Sequence, residues 1–174
     1  MNSKQVVAAI SAVILVVIIA YPALATGTVS IVLSSAKIQQ ADHVYATVGN
    51  VWVHHAGQPA SNGWELLWNQ SQTVDLVALQ TSGMKIAEGQ VSAGSYDSVR
   101  MNISNVTWVF NKTTNKLTIE LSQLQTKLEF TAQAGRESTI TLILTPEQEQ
   151  IAGAKVFVSN LNATLAGVPS PGQS

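Results

Sequence analysis

Three histidines, His43, His54 and His55, are the residues of this chain best suited to chemistry. An imidazole titrates near neutral pH and is a common ligand for copper or zinc. The three flank two adjacent strand-like segments, so two would meet if those segments pair. No Cys, Met or Asp accompanies them at ligand spacing, and His54 and His55, as neighbours on a strand, point to opposite faces. The expectation is histidines that are packed or solvent-facing, with no metal site. Asp75 and Arg100 are the next candidates. Each lies among apolar residues, where charges are usually paired. A salt bridge between them is expected to hold a sheet edge, with Tyr96 donating a hydrogen bond in the manner of a tyrosine corner. As a general acid or base, Asp75 lacks a second carboxylate, a nucleophile or a metal nearby in sequence. The sequence contains no G-x-S-x-G, phosphate-binding glycine loop or zincin motif. These residues point away from an enzyme and call for no cofactor.

Two further sets bear on binding. Trp52, Trp64, Trp68 and Trp108 are numerous for this length, and an exposed indole face is a platform for a sugar ring. Trp64 and Trp108 are expected in the core, with Trp52 and Trp68 open to either role. Five N-x-[ST] sequons begin at Asn69, Asn102, Asn105, Asn111 and Asn162. In an exported protein these are glycosylation acceptors; in any chain rich in Asn, Ser and Thr some arise idly.

The export question turns on the amino-terminal segment. Residues 6–20 are apolar apart from Ser11, Lys4 precedes them, and Tyr21-Pro22-Ala23-Leu24-Ala25 follows. A positive start, an apolar stretch and an A-x-A site describe a secretory signal peptide cut after Ala25. The competing reading is a retained anchor, although the run sits at the lower limit of about 17 residues for a bilayer span. The domain plan is therefore a signal peptide or anchor over residues 1–25, a β domain over 26–168 and a disordered tail over 169–174.

With 174 residues the chain is long enough for one domain with its own core. It has no cysteine, which excludes disulfides, thiolate metal sites and a cysteine nucleophile. Nine Lys and Arg stand against ten Asp and Glu, so there is no basic face for nucleic acid. Only 11% of residues are charged. That fits a hydroxyl-rich secreted surface, or a surface adapted to acid, where carboxylates would protonate and cease to pair.

The elements that would position these residues are strands. Thr28–Leu33 is β-branched and begins beside the expected cleavage site. His43–Val48 alternates, Gly49-Asn50 interrupts as a bulge or turn, and Val51–His54 resumes. Residues 56–63 form a loop, Trp64–Trp68 a short strand, and Val74–Leu79 a buried strand or a helical turn. The stretch Val91–Ile103 organises the rest: a turn in which Gly94 supplies backbone freedom, then a strand carrying Tyr96. Val106–Phe110 and Lys116–Leu121 form a hairpin about a turn at 111–115. Leu124–Thr131 and Ser138–Leu144 follow; Pro146 is expected to end the latter, with a polar helical turn over 147–150 and last strands at Lys155–Val158 and Ala163–Leu165. Many strands and no long helix predict an all-β antiparallel sandwich, immunoglobulin-like or transthyretin-like.

Several pieces, in order, carry a resemblance: Gly27–Ile31, Val51–His54, Trp64–Leu67, Val74–Leu76 with Leu79, and Ala93–Tyr96 with Arg100. They resemble a family of extracellular domains of archaeal and bacterial surface proteins, domain of unknown function 4382. The resemblance implies a secreted β-sandwich and assigns no catalytic residue. Where that family has an acid and a proline after the first strand, this chain has Ser34-Ser35-Ala36-Lys37.

The functional expectation is a non-enzymatic, exported cell-surface protein with a structural or adhesive role. Its partners would be copies of itself or other envelope proteins, with glycans as further partners and membrane contact only through the amino-terminal segment. The first strand could be donated to a neighbour to build a filament. The alternatives are an envelope module binding carbohydrate or metal, and an accessory subunit of a membrane complex if the apolar segment is retained.

Overall fold

The computed structural model describes residues 25–151 and 154–166. The expected signal peptide or anchor, apart from Ala25, and the expected tail lie outside them. Ten strands make up the described body: β1 Thr26–Ser35, β2 His43–His55, β3 Trp64–Trp68, β4 Gln72–Asp75, β5 Met84–Ser92, β6 Gly94–Phe110, β7 Thr113–Ile119, β8 Gln123–Ala132, β9 Glu137–Ile151 and β10 Ala154–Leu165. A 3₁₀ turn over Ala78–Gln80 separates β4 from β5.

The strands follow one hydrogen-bonded path, β3-β2-β6-β7-β10-β9-β1-β5, with β4 also on β2 and β8 also on β6. The two ends of the path meet. Glu65 of β3 accepts the Ser92 backbone N–H of β5 at 3.0 Å. Gly89 of β5 lies so close to β3 that an added Cβ would stand 2.3 Å from the Leu67 carbonyl oxygen. The sheet is thus nearly closed into a barrel, and its ends are held by a polar stitch and a glycine contact.

Alternation along each strand fills the interior. Val29, Ile31 and Leu33 of β1, Val44, Val51 and Val53 of β2, Val99 and Met101 of β6, and Ile140, Leu142 and Leu144 of β9 are all fully buried. The side chains between them face out, and this places Trp52, His54 and Arg100 on the outer surface of β2 and β6.

Several expectations are corrected. The sheet is not wholly antiparallel: β1 runs parallel to β9 over Thr28↔Glu137 to Ser35↔Leu144, and β7 parallel to β10 at Val156↔Thr118. The strand from Gly94 does not stop at Ile103 but runs unbroken to Phe110. Its polar Ser104-Asn105 is a bulge, because Asn105 takes a φ of 51° and the register with β2 jumps from Thr47↔Ser104 to Tyr45↔Thr107. Of the two readings of Gly49-Asn50 the bulge holds, as a register shift inside one strand. The turn after Phe110 is shorter than expected. Asn111 and Lys112 alone turn the chain, both with positive φ, and Phe110 faces Thr113.

Pro146 does not end β9, and residues 147–150 are strand rather than helical turn. The reason is local: β1 pairs with β9 only as far as Leu144, so at Pro146 the missing N–H deprives no β1 partner. The last two strand pieces are one strand, β10. Gly94 requires no special backbone freedom: its φ is not positive, and a Cβ there would meet nothing within 4 Å. Val74–Leu79 splits, with strand to Asp75 and the 3₁₀ turn beyond it.

Candidate functional site

The first half of β6, whose register shifts at Asp97, and the facing half of β2 carry the most unusual side chains. Register places Arg100 opposite Trp52, and His54 opposite both Ser98 and Trp64. The Arg100 guanidinium carbon lies over two indoles, 4.7 Å from the Trp52 ring centre and 4.1 Å from that of Trp64. Such contacts attract a cation to the ring face. The Arg100 Nε is buried with no hydrogen-bond partner. Burial pulls the guanidinium's pKa below its ordinary value. No carboxylate among the described residues lies within ion-pair distance of it.

The expected Asp75–Arg100 salt bridge is therefore absent. Asp75 lies on β4, far along β2 from Arg100, opposite Tyr45. One of its oxygens sits 2.7 Å from His43 Nδ1. The other accepts the N–H groups of Val44 and Val77. The Val77 bond is an Asx turn, which explains why the strand gives way to a 3₁₀ turn at that point. Trp64, expected in the core, is instead half-buried on the outer face. Its Nε1–H donates to the Ala60 carbonyl at 3.0 Å, and its ring tilts against His54 at 4.8 Å. Trp108 is in the core and donates to the Gln40 carbonyl. Trp68 packs partly buried against the core, away from Trp52.

All three histidines meet a carboxylate from another strand or its end. His54 is the most constrained. Its Nδ1 is 2.8 Å from Asp97, and its Nε2 faces the carbonyls of Asn62 at 2.9 Å and Pro59 at 3.2 Å. Every one of those partners accepts, so the surroundings favour the doubly protonated ring, the imidazolium. Burial alone would lower its pKa, but the Asp97 hydrogen bond and charge and the two carbonyls hold it above the ordinary value. Burial raises Asp97, while the bonds from His54 and Ser98 pull it below the ordinary carboxylate range. The pair pins the 56–63 loop onto the sheet.

His55, pointing the other way as expected, reaches Glu65 at 3.0 Å. Tyr96 completes that cluster. Its hydroxyl is 2.7 Å from the Ser92 carbonyl, the upstream bond expected of a tyrosine corner, and 2.8 Å from Glu65. Burial and the Glu65 contact both raise its pKa. Glu65 and Asp97 had no role in the sequence reading. Their pairing depends on register between distant strands, and no local pattern announces it.

The family described as domain of unknown function (DUF4382) matches residues 26–160, from the first residue of β1 well into β10. The chain belongs to this family. No curated protein and no solved structure shows significant similarity to it. Within this DUF4382 domain the histidines sit on separate carboxylates. Among the described residues no group of three or more His, Cys, Asp or Glu is placed to hold a metal ion. The sequon asparagines Asn69, Asn105, Asn111 and Asn162 are exposed, whereas Asn102 is half-buried and accepts a hydrogen bond from Gln123.

Proposed function

We propose that this DUF4382 protein is exported and works at the cell surface as a non-enzymatic structural or adhesive component. The observation that carries this reading is how its ionisable groups are used. His43–Asp75, His54–Asp97 and His55–Glu65 each tie one strand to another strand or loop. Such groups brace a rigid body and are already committed to one another. Export is supported by the apolar run at 6–20 with its A-x-A site, and by four exposed sequon asparagines spread over the surface. Glycans on Asn69, Asn105, Asn111 and Asn162 would shield that surface from proteases.

The barrel is read as a flattened relative of an immunoglobulin-like or transthyretin-like sandwich, since β7 reaches β10 through only two residue pairs. Assembly through donation of β1 fits its position between β9 and β5, a slot that an identical strand from a neighbour could fill. Protease treatment of intact cells tests the location. The expected outcome is loss of the protein without loss of cytoplasmic markers; full protection until lysis would contradict it.

A carbohydrate-binding role is the second reading. That reading asks Trp52, Trp68 and the histidines to converge on one exposed groove, and they do not: Trp68, His43 and His55 lie elsewhere and His54 is buried. What favours it instead is that Trp52 and Trp64 share one outer face about Arg100.

A further inference from the structure

Arg100 is the one lysine or arginine among the described residues that is not exposed. The histidines are matched to carboxylates, yet this permanently charged side chain has none among the described residues. Its Nε is buried and unsatisfied, and its cation rests over the rings of Trp52 and Trp64. The half-buried guanidinium is partly withdrawn from water without a counterion, and the indoles offset only part of that cost. Proteins break such pairing rules at functional sites, and here an anion from outside the chain would supply the missing charge.

The surroundings say what that would be. The guanidinium is a planar fork matched to a carboxylate, which it binds by two parallel hydrogen bonds. On its β2 side lie half-buried Trp52 and Trp64, and Leu66, opposite Trp52 on β3, is 46% exposed; on its other side Gln125 of β8 stands opposite it. The site is also preorganised. Trp64 is fixed through Ala60, and the loop carrying Ala60 is pinned by His54.

We propose that the Trp52–Arg100–Trp64 face binds an acidic saccharide, a hexuronate residue whose carboxylate pairs with Arg100 while its ring lies against an indole. The carboxylate follows from the unmatched guanidinium. The choice of a sugar as its carrier rests on the cell-surface reading above.

The test is calorimetric titration of the purified native protein with a galacturonate trisaccharide, with tryptophan fluorescence followed in parallel. Three comparisons accompany it: the same trisaccharide with its carboxyls methyl-esterified, free acetate, and the Arg100→Gln and Arg100→Lys variants. Binding with a fluorescence change is expected, weakened at least tenfold by esterification and by Arg100→Gln, and weakened to a lesser degree by Arg100→Lys, which keeps the charge and loses the fork. Acetate is expected to bind far more weakly than the trisaccharide.

Equal binding of the ester, undiminished binding by Arg100→Gln, or no binding at millimolar ligand would overturn the proposal. Acetate binding as well as the trisaccharide would overturn the sugar and leave a bare anion site. Should Arg100→Gln fail to fold, the ester comparison on the wild-type protein decides alone. Cell location is measured separately, so a cytoplasmic protein would defeat the surface reading without altering these titrations.

Discussion

The His54–Asp97 pair has opposite consequences at the two ends of the pH scale. The folded His54 pKa lies above its ordinary value of 6.5, so its contribution is complete below that value and is lost as pH rises through the folded pKa. The folded Asp97 pKa lies below its ordinary value of 3.8, so its contribution is complete above that value and is lost as pH falls through the folded pKa. Thermal unfolding measured across pH should show a plateau in mildly acidic solution and a decline on the alkaline side. His54→Gln should lower stability by about 1–2 kcal/mol on the plateau, the lower range for a charged hydrogen bond because Asp97 is partly exposed and screened. It should also remove the alkaline decline; a decline that survives the substitution would assign it to other groups. At this scale the sequence was half legible. Tyr96 and its upstream bond are recognisable from a tyrosine set just beyond a turn. The partners of Arg100, Asp75 and the histidines are not, because they depend on which residues of β2, β3, β4 and β6 stand opposite one another.

Elements were easier to find than to delimit. Trp64–Trp68 and the alternation around Tyr96 stand out from residue type alone, since a half-buried strand needs that pattern. Two of the misplaced strand ends share one cause. Polar or helix-breaking residues inside long strands, Ser104-Asn105 and Pro146, look like ends, but bulges and open edges accommodate them. The seam between β3 and β5 could not be seen in advance, because Gly89 reveals its purpose only beside Leu67. Gly89→Ala should cost about 1–3 kcal/mol by overpacking, as the new methyl meets backbone rather than a movable side chain. Chemical denaturation would check this, and an unchanged midpoint would show that the seam is loose.

Strand donation is testable at the same scale. Thr28 and Glu137 face each other in the parallel β1–β9 pair, and the chain has no cysteine of its own. In a Thr28→Cys, Glu137→Cys variant, oxidation of assembled material should give covalent ladders if β1 is exchanged between copies. Monomers closed internally would mean that each β1 stays in its own barrel.

For the molecule as a whole, the all-β body and the family were legible because both are spread over many short pieces that need only occur in the right order. The near-closure of the barrel and the two parallel ladders were not, since no strand reveals which distant strand it joins. The reading of a braced surface body depends on one event ahead of β1, passage across a membrane directed by residues 6–20. The direct measurement is mass spectrometry of the protein released from the outside of intact cells, covering its amino-terminal peptide and its intact mass. The account predicts a chain beginning at Thr26 and heavier than its polypeptide. A chain that still begins at Met1, has the bare polypeptide mass and is recovered from the cytoplasm would contradict it.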